Sequence, residues 1–373
     1  MSVSPAPTAP ARPARRRVLR WLVPVGAAGV VALLASGVLS ADAKPNLPAR
    51  SAAQLLAAVG NAKVAGFSGT VVEKASLGLP ELPSLGGSAS SANPLALLTG
   101  SHTVRLWYAG ENKQRIALLD SLGEQDVFRN GRELWQWNSD TRTASHSTLP
   151  SDAVATPRQL PVITPDQAAR QALAMIEPST TVSTDHAALV AGRPAYTLVL
   201  VPKDSRSRIS SVRISIDGKT LVPLGLQVYA RGSDRAAFDV SFTRFSDAVP
   251  SDDNFSWRPP AGVTVKQAPL GTQSPVAPGL PGAAVGGVGA GASTVGTGWT
   301  TIVRLTGVPA LTELGQPGKQ ALPVLGALPA VKGSWGSGRL FQSALICALI
   351  TDDGRVFAGA VDPELLYQAA AAK

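Results

Sequence analysis

Residues 130–138 read Asn130-Gly131-Arg132-Glu133-Leu134-Trp135-Gln136-Trp137-Asn138. An Asn-Gly pair tolerates the left-handed backbone of a tight hairpin turn, and the residues after it alternate. Trp135 and Trp137, two apart, therefore share one face of a strand. The same period of two recurs on both sides of this stretch. Phe67, Gly69 and Val71 alternate with Ser68, Thr70 and Val72, and Val104, Leu106 and Tyr108 with Thr103, Arg105 and Trp107. Tyr196, Leu198 and Leu200 follow, then Val212, Ile214 and Ile216 against Arg213, Ser215 and Asp217. Leu224, Leu226 and Val228 come next, and Phe238, Val240 and Phe242 against Asp239, Ser241 and Thr243. Turn pairs such as Asp217-Gly218 separate these runs. The pattern predicts an α+β chain, mainly antiparallel β, whose sheet has one apolar and one wet face.

An apolar sheet face needs cover. Ser51–Val64 reads as one covering helix, with Ser51 as its N-cap and Leu55, Leu56 and Val59 on one side. A second is expected from Thr164, with Pro165 at its first position and Gln167 completing a capping box, through Leu173, Met175 and Ile176. Two helices are few for so many strands, so either the sheet curls around them or part of its face is left for a ligand. The Gly/Ser/Pro-rich stretch Leu77–Thr99 carries seven leucines and reads as a lid, with Leu79, Leu82 and Leu85 shielding apolar surface. Residues 269–293 have a Gly/Ala/Pro linker composition. Residues 294–373 form a C-terminal α/β extension: Arg339–Ile350 as one strand apolar on both faces, a turn at Asp352-Asp353-Gly354, a strand to Val361, and a helix begun by Asp362-Pro363.

With 45% hydrophobic and 16% charged residues, the chain is not disordered throughout, and its one long apolar run, Trp21–Ala41, excludes a polytopic membrane protein. The formal charge of +9 suggests nucleic acid until its basic residues are located. Arg12, Arg15, Arg16, Arg17 and Arg20 precede the apolar run, with Asp42 the sole acid before residue 44, and no basic stripe follows. Nucleic-acid binding is not expected. Positive flank, apolar segment and Ala41-Asp42-Ala43 make an export signature, either cleaved after Ala43 or kept as an anchor through residues 21–41 with the N-terminus inside. Residues 1–43 are thus a disordered arm plus signal, and residues 44–373 are expected outside the cytoplasm.

Chemistry-bearing constellations are scarce. His102, His146 and His186 have no acidic or Cys partner at ligand spacing, the single Cys347 makes no pair, and no Gly-x-Ser-x-Gly elbow occurs. No catalytic residue, metal or cofactor is expected, and the chain does not read as an enzyme.

Two stretches resemble a known family. Residues 130–138 look like the hairpin motif of the outer-membrane lipoprotein carrier LolA, and Phe255-Ser256-Trp257-Arg258-Pro259-Pro260-Ala261-Gly262-Val263-Thr264-Val265 resembles that family's closing motif. The likeness spans roughly residues 50–267, and the opening helix before Phe67-Ser68-Gly69-Thr70 fits it. It implies the LolA-like fold shared with the N-terminal half of RseB/MucB over residues 50–268: an open, unclosed β-barrel wrapped around helices. It implies further a concave face that holds acyl chains of a lipid or lipid-modified protein, or, as in RseB, a regulator that binds an anti-sigma factor. On that reading Val104, Leu106, Tyr108, Leu198, Val212, Ile214, Leu226 and Phe242 line the concavity, with Trp135 and Trp137 near a rim. The alternative for the two tryptophans is that they cover a sheet edge or core. The lid, the N-terminal segment and the C-terminal extension depart from the simple carrier.

Overall fold

The computed structural model describes residues 47–78, 100–119, 123–149, 178–267, 292–306 and 328–372, within the unit Asn46–Lys373. The expected export segment, the second helix at 164–176 and the lid residues Leu79, Leu82 and Leu85 lie outside the described residues. Among those described, no helix is long and apolar enough to cross a membrane.

Eleven strands follow helix α1 (Ala52–Gly60) in the first body. They are β1 (Phe67–Ala75), β2 (Gly100–Tyr108), β3 (Lys113–Leu119), β4 (Glu124–Asn130), β5 (Glu133–Asn138) and β6 (Thr143–Thr148), then β7 (Thr180–Val190), β8 (Arg193–Pro202), β9 (Ile209–Asp217), β10 (Pro223–Ala230) and β11 (Ala236–Ser246). With β12 (Thr264–Gln267) they form one twelve-stranded sheet ordered β12-β6-β5-β4-β3-β2-β1-β11-β10-β9-β8-β7. All neighbours are antiparallel except β12, which runs parallel to β6. The end strands β12 and β7 do not pair with each other, so the sheet is an unclosed antiparallel one.

Register converts the sequence alternation into a one-sided sheet. Val71 lies opposite both Val104 and Phe242, Leu226 opposite Val240 and Ile214, and Ile214 opposite Leu198. A bulge between Thr70 and Val71 brings β11 close at Gly69, where an added Cβ would stand 2.6 Å from the Phe242 ring. Only glycine fits that approach.

Among the described residues, three elements cover the inner face. Helix α1 begins with a full capping box, Ser51 Oγ accepting from Gln54 N at 3.2 Å and Gln54 Oε1 accepting from Ser51 N at 2.9 Å. It ends at Gly60, shorter than the expected Ser51–Val64, because Asn61 caps it. Val64 instead packs with Val71 and Leu224. The helix buries Leu55 completely against Tyr196, Leu198 and Ile216. Val190 and Ala191, in the turn after the edge strand β7, reach Val71, Leu224 and Phe242 near the middle of the sheet, which shows how strongly it curls.

The third cover comes from a second sheet of six strands, ordered β13-β14-β18-β17-β16-β15. These are β13 (Ala292–Val295), β14 (Ile302–Leu305), β15 (Ala330–Gly333), β16 (Gly336–Gln342), β17 (Cys347–Thr351) and β18 (Val356–Gly359). Strand β13 begins inside the stretch of linker composition. The run Arg339–Ile350, expected as one strand, is a hairpin: Ser343 Oγ accepts from Ile346 N at 3.0 Å and donates to Ile346 O at 2.9 Å, turning the chain between β16 and β17. Helix α2 (Pro363–Ala371) covers the buried Cys347, Leu349 and Phe357.

The two sheets are joined by named contacts. Ser207 bridges to Val361, Arg208 donates to Asp362 at 2.8 Å, and Trp299 Nε1 donates to Thr180 Oγ1 at 2.7 Å. Leu345, in the β16–β17 turn, is buried with Leu77, Leu226 and Val228 of the first body.

Truncating a buried leucine removes its transfer free energy and leaves a void, so Leu55→Ala should lower unfolding free energy by about 2–5 kcal/mol. Leu189, 59% exposed, should tolerate the same change within about 0.5 kcal/mol. Chemical denaturation of the two variants beside the unaltered chain measures both.

Candidate functional site

The inner face is apolar across the middle of the sheet, and eight of the residues expected to line a concavity lie on it. Leu198 and Ile214 sit under α1, and Val212 and Leu226 under the Leu345 turn. Phe242, Val104 and Leu106 form the third patch with Val71 and Val64. Tyr108 continues this patch, stacked on Phe67 with ring centres 5.2 Å apart. Much of the face is thus occupied by the chain's own residues. Leu198, Leu226 and Phe242 are buried, whereas Val104, Leu106 and Tyr108 on β2 remain only half-buried.

Trp135 and Trp137 are elsewhere. The β4–β5 register pairs Trp135 with Phe128 and Trp137 with Asp126, which puts both tryptophans on the outer face. There Trp257 lies over them, its ring centre 5.3 Å from Trp135, 5.6 Å from Trp137 and 5.6 Å from Phe128. His146 stacks on Trp135 at 4.2 Å and is paired with Glu133. The Arg115 guanidinium stands 4.6 Å from the Trp107 ring centre and 4.7 Å from that of Phe128, and its Nε donates to Asp126 at 2.9 Å. Burial pushes the Asp126 carboxyl up to about 6, against the opposing pull of Arg115. Expecting these tryptophans at the rim of the apolar cavity is therefore corrected. Parity groups residues within a strand, but only register and the returning segment 252–262 decide which face a pair occupies. The two stretches that carry the family resemblance meet in this cluster.

A buried carboxylate interrupts the apolar middle of the inner face. Glu73 follows Val71 by two on β1, so it shares that face, and its cross-strand neighbours are His102 on β2 and Val240 on β11. Only 9% of it is exposed, and its Oε1 has no hydrogen-bond partner. Leaving such an oxygen buried and unpaired costs about 1–3 kcal/mol. Burial raises its carboxyl from the usual 4.5 to about 7, with His102 pulling the other way. Sequence reasoning passed over Glu73, although the spacing Phe67, Gly69, Val71, Glu73 held the signal.

A second concavity lies apart from all these residues. An open groove of about 1040 Å³ runs beside α1, lined by Arg50, Gln54, Lys63, Lys219 and Asp247 among others. Its lining mixes these groups with Ala57, Ala58, Val64 and Leu221, and Lys219 already pairs with Asp247 at 2.7 Å. Among the described residues, no three His, Cys, Asp or Glu side chains converge as a metal site would require.

No known family's sequence profile matches the chain, and no curated protein matches it. Solved structures do. A crystal structure of MucB in complex with MucA(peri) is 16% identical, with TM-score 0.41, over 86% of this chain and 96% of that one. The MucA/MucB complex of Pseudomonas aeruginosa is 18% identical with TM-score 0.38, over 86% and 96%. A LolA-superfamily protein of Nitrosomonas europaea is 12% identical with TM-score 0.21, over 56% of this chain and 99% of its own length. The chain is thus similar to RseB/MucB-like and LolA-like proteins. At these identities and scores the likeness bears on neither ligand nor partner.

The raised Glu73 carboxyl has a definite sign in stability. Between about 4.5 and 7 the unfolded chain has released this proton while the folded chain keeps it, so stability falls as pH rises through that window. The full fall is on the order of 3 kcal/mol. Glu73→Gln should remove this component, and denaturant midpoints measured across the window for both proteins test it: an identical slope in the variant would contradict the assignment.

Proposed function

We propose that the chain is an exported binding module that holds an acyl chain, of a lipid or of a lipid-modified protein, against the inner face of its open sheet. The observation that carries this reading is the apolar surface continuing past the cover of α1 onto β2, where Val104, Leu106 and Tyr108 stay half-buried. Each methylene removed from water contributes about 0.8 kcal/mol, so a long acyl chain offers on the order of 10 kcal/mol before ordering costs. Such binding needs a dry surface and no catalytic group, and no residue is assigned a catalytic role. Export, cleaved or anchored through residues 21–41, rests on the arginine-flanked apolar segment.

A second reading is a regulatory protein that binds an anti-sigma factor. The docking of the C-terminal sheet favours it: Leu345 and Trp299 pack on the inner-face cluster of Leu226 and Val228, so a partner held by that sheet and an occupant of the inner face would share contacts. Loss of a partner from pull-downs on deleting 294–373, with acyl binding altered as well, would support this role, and an unchanged partner list would refute it.

Two measurements test the first reading. Mass spectrometry of organic extracts of the purified full chain should find an acyl lipid, and a lipid-free chain unable to shield a fluorescent fatty acid from water would refute it. Leu106→Glu places a charge on the half-buried apolar strip and should weaken that fatty acid by at least about tenfold, or ~1.4 kcal/mol. Trp135→Ala, on the outer face, should leave it unchanged.

A further inference from the structure

Glu73 leaves one of its two carboxylate oxygens without a hydrogen bond. Its Oε1 is buried without a hydrogen bond on β1, a strand in the middle of the sheet. The residues before and after it on the same face belong to different apolar clusters: Val71 to that of Phe242, and Ala75 to that of Leu226 and Leu345. The opposing residue on β11 is Val240, and the titratable group facing it is His102 on β2, which does not satisfy Oε1. A glutamine of the same shape would avoid the buried charge, and a valine would continue the apolar face. A carboxylate in a dry setting is instead suited to one kind of contact: a charge-assisted hydrogen bond from a cationic N–H donor, which is strengthened where water is excluded.

We infer that Glu73 is the polar recognition point of the inner face, and that the preferred occupant is an amphiphile carrying a protonated amine beside its acyl or alkyl body. This rests on the acyl-binding reading above and deepens it by naming the head group. In the bound state the ammonium donates to Oε1 while the hydrocarbon lies along β2, over Val104 and Leu106. Near neutral pH the incoming cation favours the ionised carboxyl, so binding is accompanied by release of the Glu73 proton.

The test is photo-crosslinking of the full chain in phosphatidylcholine nanodiscs. Three probes of equal chain length are compared: a diazirine-bearing alkylamine, the matching carboxylic acid and its methyl ester, with labelled peptides located by mass spectrometry. The amine should label peptides of β1, β2 and β11 at least about tenfold more than the ester, a difference of ~1.4 kcal/mol. Glu73→Gln should abolish that preference and leave ester labelling intact. Glu73→Leu, checked for folding by thermal melting, should do the same. Equal labelling by amine and ester, preference for the acid, or a preference that survives Glu73→Gln would overturn the role of Glu73 while leaving acyl binding standing. Absence of inner-face labelling by all three probes would overturn both.

Discussion

The pairing of β1 with β11 is the constraint on which the rest of this structure depends. It joins two meanders, β1 to β6 and β7 to β11, into one sheet, and it does so at the point where Gly69 lets the backbones close on the Phe242 ring. The cluster of Val71, Phe242 and Val240 lies directly on that seam. Val71 touches both neighbours, α1 and the β7–β8 turn close over the far half, and the Leu345 turn closes over the near end. Without the seam there would be two separate sheets, and the cluster of Val71, Leu224 and Phe242, which draws on both, would be divided.

The outer face has its own logic. A sheet half that is wet on one side still needs its twist and register fixed, and the returning segment 252–262 does this with one aromatic ring. Trp257 spans Phe128, Trp135 and Trp137, and Lys113 holds Asp252 at 2.7 Å. Arg115 fills the space between Trp107 and Phe128, satisfying Asp126 and Glu124. Two short motifs far apart in sequence are therefore in contact as one packing unit.

Much of this was legible in the chain itself. Strand alternation located the apolar face and most of its residues, and the Ser51 capping box located α1. What escaped has physical reasons. The tryptophans at 135 and 137 keep parity with each other, but their face depends on register accumulated across β2 to β5 and on the arrival of Trp257. The run Arg339–Ile350 is apolar enough to hide its turn, which Ser343 makes through its own hydroxyl. Glu73 escaped because its burial depends on register: adjacent residues of a strand point to opposite faces, and of Glu73 and Lys74 only the lysine reaches water.

The seam between β1 and β11 also governs the order in which the molecule can assemble. Thr243 Oγ1 donates to the Thr70 carbonyl across 173 residues of chain. Strand β1 leaves the ribosome or translocon among the first segments and must wait for one of the last strands of its own sheet before its second edge is filled. Pairings between strands so distant in sequence require the intervening chain to be ordered first, a topology associated in general with slower folding. During that interval the edge is open to pairing with other chains.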